Sequence, residues 1–468
     1  MNAPEPAGPL FASVLIANRG EIALRIARTC RELGIRTVMV YSEADRDSPA
    51  LRLADRRVRI GPAAARRSYL YPPAILEAAL GAGAEAVHPG YGFLSEDADF
   101  AEMCRAEGLR FIGPPPEVIA ALGDKTQARE LAAAAGLPVL PGSPGALSSG
   151  QAAKDVADGI GYPVIIKAAA GGGGRGMAVV DDPADFARAF AETRASAQAV
   201  FGDARVYVEK YVRGARHVEV QVLADLHGNV VSLGERDCSV QRRRQKLIEE
   251  SPAPGLAPGL TAAIGEAAVS CARAAGYVGA GTFEFLVDGA GRFFFIEANC
   301  RIQVEHPVTE MVTGVDLVRE QLRVAAGLPL AAGAGAAARG VSIECRVNTE
   351  DPGRGFLPTP GLIEEFVPPG GPFTRVDTHG VPGVRVSADY DSLLAKVVVW
   401  APDRDQAISR MDRALEEFRV SGRGVCTTIG FLREVLAHPD FRRAEHDTSL
   451  ADEMTSGRRR TLQGAARP

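Results

Sequence analysis

The stretch from Thr282 to His306 restricts the folding of this chain more than any other. Phe283-Glu284-Phe285-Leu286-Val287 and Phe293-Phe294-Phe295-Ile296-Glu297 flank Asp288-Gly289-Ala290-Gly291-Arg292, a pattern that predicts two β-strands joined as a hairpin. With a loop of Gly289 to Arg292, residue 288 faces 293 and Glu284 faces Glu297. Side chains alternate along a strand, so Asn299 shares the face of the two carboxylates and Arg301, Gln303 and Glu305 continue it. Ile296, Ala298, Ile302 and Val304 take the even-numbered positions of the core face. Opposed carboxylates repel unless a cation lies between them, and hard oxygens with an amide suit Mg²⁺ bound to phosphates. The plainer alternative is a charged sheet face open to water. Fully extended, Glu297 to Glu305 would span about 26 Å at roughly 3.3 Å per residue. That is too long for one ligand, so a bend is expected after Arg301.

Upstream, the chain alternates between strand and helix. An apolar run from Phe11 to Ala17 enters Asn18-Arg19-Gly20-Glu21, and a helical pattern follows to Gly34. Strands at Thr37 to Tyr41, Ala86-Val87 and Arg110 to Ile112, with helices at Pro72 to Leu80 and Glu96 to Glu107, predict a parallel α/β domain over the first 120 or so residues. After Gly113-Pro114-Pro115-Pro116 the pattern becomes mixed α+β, with helices at Thr126 to Ala135 and Asp182 to Ala199. Gly327 to Gly340 reads as a connection. A further domain starts near Val341, with strands at Ser342 to Val347, Gly361 to Phe366 and Leu393 to Trp400 and a helix from Arg404 to Phe418. The end from Ser456 is polar and basic, which predicts a mobile tail.

Val164-Ile165-Ile166-Lys167 leads into Gly171-Gly172-Gly173-Gly174-Arg175-Gly176, which formally contains G-x-G-x-x-G. A dinucleotide-binding reading needs a helix next, but Met177-Ala178-Val179-Val180 is another strand. What remains is either a glycine loop that lays backbone N–H groups over a polyphosphate or a plain hairpin tip. Only six of the 53 basic residues are lysines: Lys125, Lys154, Lys167, Lys210, Lys246 and Lys396. Lysine is a point donor suited to a single phosphate or bicarbonate oxygen, and arginine is not its equivalent. Scatter without function would give the same count. Glu235-Arg236-Asp237 and the run Gln241-Arg242-Arg243-Arg244-Gln245-Lys246 together suit an anion or a solvated face; Asp124 reads as a helix cap and His88 as structural.

The formal charge of −5 leaves no global basic field for nucleic acid or an anionic membrane. Seven scattered cysteines without a C-x-x-C pair read as reduced thiols, and no long apolar run or leader pattern is evident, so a soluble cytoplasmic protein is expected.

With these residues in view, the chain resembles the biotin carboxylase family of ATP-grasp enzymes. The resemblance is carried by Ala17 to Glu21, His88 to Phe93, the glycine loop, Glu235-Arg236-Asp237-Cys238-Ser239, Arg301-Ile302-Gln303-Val304-Glu305-His306-Pro307, Glu350-Asp351-Pro352 and Tyr390-Asp391-Ser392. It implies an α/β and α+β multidomain fold. An N-terminal Rossmann-like (pre-ATP-grasp) domain would cover 9–122 and a central ATP-grasp domain 123–330, with a lid at about 138–212. A C-terminal biotin carboxylase domain would cover 341–452 and a flexible tail 453–468.

It also implies ATP- and bicarbonate-dependent carboxylation of biotin on a carrier protein through carboxyphosphate, as a subunit of an acyl-CoA carboxylase (acetyl-CoA or propionyl-CoA, for example) or a related enzyme. By motif, Lys125, Lys167, Gly173, Gly174, Glu209, Lys210, Tyr211, Val212, His217, Gln241 and Arg244 would meet ATP. Glu284, Glu297 and Asn299 would hold Mg²⁺ or Mn²⁺, as two ions. Lys246, Arg301, Gln303 and Val304 would place bicarbonate, Glu305 would be the base, and Tyr91 and Arg346 would receive biotin, with Arg346 stabilising its enolate. Lys396 receives no role.

Arg244 stands where the family usually has histidine, and Ala170, Ala298 and Cys300 also depart from its pattern. No lysine is flanked by methionine, so a biotin carboxyl carrier protein and a carboxyltransferase are expected on other chains, with the protein itself a homodimer. Another ATP-grasp ligase, joining an acyl phosphate to an amine, would share the nucleotide groups but not the Arg301 to His306 row. A nucleotide-binding regulatory subunit would bind without turnover.

Overall fold

A computed structural model describes residues 10–169, 176–331 and 337–456. The glycine loop with Gly173 and Gly174, and the tail beyond residue 456, lie outside the described residues.

The first sheet is parallel. Its strands are β1 (Ser13–Ile16), β2 (Arg36–Ser42), β3 (Arg56–Gly61), β4 (Ala86–His88) and β5 (Arg110–Phe111), in the order β3-β2-β1-β4-β5. Strand order reverses between β1 and β4, and the loops leaving their carboxyl ends form the crevice where ligands bind in such sheets. Asn18 ties the two loops together, its amide donating to the carbonyls of Pro89 (2.7 Å) and Tyr91 (2.8 Å). Gly90 permits this approach: at φ +65°, an added Cβ would lie 3.0 Å from the Asn18 amide nitrogen. His88 is buried and accepts from the Gly90 N–H at 3.1 Å, a structural role as expected.

A small antiparallel sheet follows, made of β6 (Val164–Ala168), β7 (Met177–Val180) and β8 (Val206–Lys210), with β6 in the middle. Helices Gly150–Ile160 and Phe186–Phe201 give this unit a hydrophobic cluster of its own, including Val164, Ile166, Phe186, Phe190 and Val208.

The remaining long strands form one sheet: β9 (Arg216–Ala224), β10 (Val230–Arg242), β11 (Gln245–Ser251), β12 (Gly279–Val287), β13 (Phe293–Asn299), β14 (Val341–Asn348), β15 (Thr374–Thr378) and β16 (Leu393–Ala401). Their order is β13-β12-β9-β10-β11-β14-β16-β15. Strand β14 pairs directly with β11, so the sheet continues past the connection read at 327–340. This continuity puts Arg346 and Lys246 on one surface.

The hairpin departs from its expected register in two places that cancel. Val287, not Asp288, faces Phe293, because the Asp288 carboxylate accepts from the N–H groups of Ala290 (3.0 Å) and Arg292 (2.9 Å) and tightens the loop. A bulge at Ile296 then restores Glu284 opposite Glu297. The bulge turns Ile296, expected in the core, toward the cavity with Glu297. The strand ends at Asn299, so the chain leaves extended geometry at Cys300 rather than after Arg301, and parity fails beyond it: Ile302 and Gln303 are both buried.

Candidate active site

A cavity of about 960 Å³ lies among these three units. Among the expected site residues, Tyr91, Lys125, Lys167, Lys210, Tyr211, Val212, His217, Gln241, Arg244 and Lys246 line it. So do Glu284, Glu297, Asn299, Arg301, Gln303, Val304 and Arg346. Glu209 and Glu305 lie behind the wall with no exposed side-chain surface.

Charges alternate through the site. The Lys246 ammonium donates to Glu219 at 2.5 Å, Glu305 at 2.7 Å and Glu284 at 2.9 Å, which uses all three of its N–H groups. Arg346 donates from Nε to Glu249 at 2.5 Å and from a terminal nitrogen to the second oxygen of Glu305 at 2.8 Å. Burial opposes the Glu305 charge, but Lys246, Arg346 and Arg236 outweigh it and hold this carboxyl well below the usual carboxylate range. Glu305 is therefore ionised, with a cation on each oxygen.

Arg301 is fixed by its fork, which meets Glu96 (2.8 Å), Gln303 (2.9 Å) and Asn299 (3.1 Å). Glu96 was expected inside a helix. Asp97 instead caps that helix, accepting from the Phe100 N–H at 2.9 Å, and the helix runs Ala98–Ala106. Glu96 is thus free to hold Arg301 and the Cys300 N–H (2.9 Å).

At the other end, Lys125 meets Glu297 at 2.9 Å from the first turn of helix Lys125–Ala134, whose cap is Asp124 as expected. Lys167 meets Glu209 at 2.5 Å, and Arg129 reaches the same carboxylate. Glu284 also pairs with His217 at 2.8 Å and accepts from Asn299 at 2.9 Å. Oxygen donors of Glu284, Glu297 and Asn299 thus border one cavity, each carboxylate carrying a lysine ammonium as counter-charge. Such a hard donor set fits Mg²⁺ or Mn²⁺.

The basic run divides. Upstream of the run on the same strand, Arg236 is fully buried and meets Glu219 at 2.5 Å and Gln221 at 2.8 Å. Arg242 lies over the Phe356 ring at 4.1 Å. Arg243 and Arg244 form the two-residue turn between β10 and β11, both at positive φ (48° and 65°), and both reach the cavity.

Sequence reading missed Glu219, Glu249, Glu21 and Glu96 as members of the site. One signal was present for Glu219. In β9 the polar residues His217, Glu219 and Gln221 alternate with Val218, Val220 and Val222, which marks a polar sheet face. Lys396, to which the family resemblance gives no role, also belongs to this network. It is fully buried, and its ammonium donates to the Val304 carbonyl at 2.8 Å and lies 3.1 Å from Glu21. Burial works against its charge, yet Glu21, Glu344 and Asp377 keep its pKa above the usual lysine value.

An α/β crevice joined to a small antiparallel sheet and a large sheet edged with acids defines an ATP-grasp ligase architecture. The chain matches the family described as biotin carboxylase, N-terminal domain, over residues 10–119 and the biotin carboxylase C-terminal domain over 344–453. Residues 124–332 match the ATP-binding domain of the carbamoyl-phosphate synthase L chain. A biotin carboxylase from Nostoc sp. is 51% identical over 445 residues, covering 95% of this chain and 99% of that relative. The crystal structure of a Campylobacter jejuni biotin carboxylase–β-γ-ATP complex is similar at TM-score 0.91, with 48% identity, over 94% of this chain and 98% of that one. The biotin carboxylase domain dimer of Hydrogenobacter thermophilus 2-oxoglutarate carboxylase, in complex with MgADP, ADP and bicarbonate, gives TM-score 0.92 at 46% identity, over 95% and 97% of the two chains. This chain belongs to the biotin carboxylase family.

Proposed function

We propose that the protein uses ATP to carboxylate biotin on a carrier protein, with bicarbonate as the carbon source. The observation that carries this reading is the Glu305 carboxylate, ionised behind Lys246 and Arg346 at the anion end of the cavity. Lys246, Arg301, Gln303 and Val304 would receive bicarbonate. An anion that draws Lys246 and Arg346 onto itself removes the cations that hold Glu305 acidic, so Glu305 becomes a stronger base as its substrate arrives. It then takes the bicarbonate proton. The freed oxygen attacks the γ-phosphorus, the bond to ADP breaks, and carboxyphosphate results. Carboxyphosphate would then break to CO₂ and phosphate, the released phosphate would take the biotin ureido proton, and the enolate so formed, stabilised by Arg346 in a pocket walled by Tyr91, would attack CO₂ through its nitrogen to give carboxybiotin.

Lys125, Lys167, Lys210, Tyr211, Val212, His217, Gln241 and Arg244, with the glycine loop and the Glu209 segment, would hold the nucleotide. Glu284, Glu297 and Asn299 would hold the divalent ions, which neutralise phosphate charge. The domain limits 9–122, 123–330 and 341–452 belong to the same reading, as do a homodimer and separate carrier and carboxyltransferase chains. Among the described residues no helix is long and apolar enough to cross a membrane. Seven unpaired cysteines support a cytoplasmic setting.

The decisive assay follows ADP release by the purified chain with bicarbonate and free biotin added separately and together. Release that needs bicarbonate and rises with biotin is expected. Release indifferent to either would sink the reading.

A further inference from the structure

The six lysines divide by environment, and Lys396 is the most enclosed of them. It stands on β16 directly across from Arg346 on β14, so the two cations leave the same face of the sheet. Arg346 takes the side chain of Glu305, and Lys396 takes the main-chain carbonyl of the preceding residue, Val304, at 2.8 Å. The same ammonium lies 3.1 Å from Glu21, at the start of helix Gly20–Glu32, and 3.9 Å from Asp377 on β15. Glu21 in turn accepts the Tyr91 hydroxyl. One buried charge therefore joins the large sheet, the irregular segment between Asn299 and His306, and the loop that carries Tyr91. Residues 300–305 have little regular hydrogen bonding of their own, so their conformation depends on such outside contacts.

We propose that Lys396 is a positioning residue: by holding the Val304 carbonyl and, through Glu21, the Tyr91 hydroxyl, it sets the bicarbonate and biotin ends of the cavity and leaves the nucleotide end alone. The proposal rests on the carboxylase reading above. The competing account makes Lys396 only the neutralising partner of a buried carboxylate. The two accounts separate when both charges are removed, because deleting one partner of a buried pair leaves an uncompensated charge and deleting both does not.

Wild type, Lys396→Met, Glu21→Gln and the double variant are compared by thermal denaturation and by steady-state kinetics with ATP, bicarbonate and free biotin. The double variant is expected to recover much of the melting temperature lost by Lys396→Met. Its KM values for bicarbonate and biotin should stay raised about tenfold, the scale of one lost hydrogen bond to a charged group, while KM for ATP stays at the wild-type value. If Lys396→Met does not fold, the double variant carries the readout, and Glu21→Gln, which keeps the bond to Val304, is expected to raise KM for biotin more than KM for bicarbonate. Wild-type KM for bicarbonate and biotin in a folded double variant overturns the proposal, as does an equal rise in KM for ATP. Wild-type protein that shows no bicarbonate-dependent ADP release overturns the carboxylase reading instead.

Discussion

Two ion pairs of equal length, Lys246 with Glu284 and Arg188 with Asp185, both measure 2.9 Å. The first lies inside the cavity wall, with side chains 12% and 4% exposed; the second lies at the start of helix Phe186–Phe201, with side chains 67% and 58% exposed. Water screens the helix pair and offers each partner an equivalent bond, so little is gained by forming it. In the cavity wall that alternative is gone, and a charge that loses its partner has no solvent to turn to. Distance therefore says little here about what a charge does. The same difference separates function from solubility: the enclosed charges are arranged around an anion's path, and the exposed ones keep a helix wet.

The largest effect is expected where the enclosed network meets the chemistry. Glu305→Gln keeps the shape but ends proton acceptance and aims an amide N–H at Lys246 or Arg346. Biotin-dependent turnover should fall by ~10²–10⁴-fold, the usual scale for losing a general base, while nucleotide titration reports unchanged ATP binding. Turnover at the wild-type rate would remove Glu305 from the reaction.

Next comes Lys246. Lys246→Met leaves Glu219, Glu284 and Glu305 facing one another without their shared ammonium, and denaturant unfolding should show a loss of about 3–5 kcal/mol. Lys246→Arg retains the charge but replaces a tetrahedral point donor with a planar fork that does not match three converging carboxylates. A raised KM for bicarbonate is expected, and an unaltered bicarbonate response would show that charge alone suffices at this position.

The contrast between enclosed and exposed charge was only partly legible in the sequence. Alternation placed Glu284 against Glu297, and the ordered motifs gave the family. The register, however, came out right through two offsetting departures, a tighter loop made by Asp288 and a bulge at Ile296, neither of which alternation can register. Glu96 was hidden because its neighbour Asp97 is the helix cap, a choice between adjacent acids settled only by where the chain turns. Lys396 and Glu21 were hidden for a different reason. They are 375 positions apart, by their numbers, and a pair that meets through the packing of separate units leaves no local pattern. The polar alternation in β9 was readable and would have supplied Glu219.

The smallest effect sharpens the comparison from the other side. Arg188→Ala removes the exposed pair with Asp185 and the longer contact with Glu192 at 3.6 Å. Alanine is at least as good a helix former as arginine, so the helix itself is not weakened. The lost attraction was screened, and ordering two long side chains on an exposed surface had an entropic cost that the variant no longer bears. The melting temperature should match wild type, and adding salt should change variant and wild type alike, because a pair that contributes little at low salt leaves little for screening to remove even at 1 M, where the Debye length is about 3 Å. A loss comparable to that of Lys246→Met would mean that enclosure is not what sets the two pairs apart, and the weight placed on the buried network around Glu305 would have to be redistributed over the whole surface.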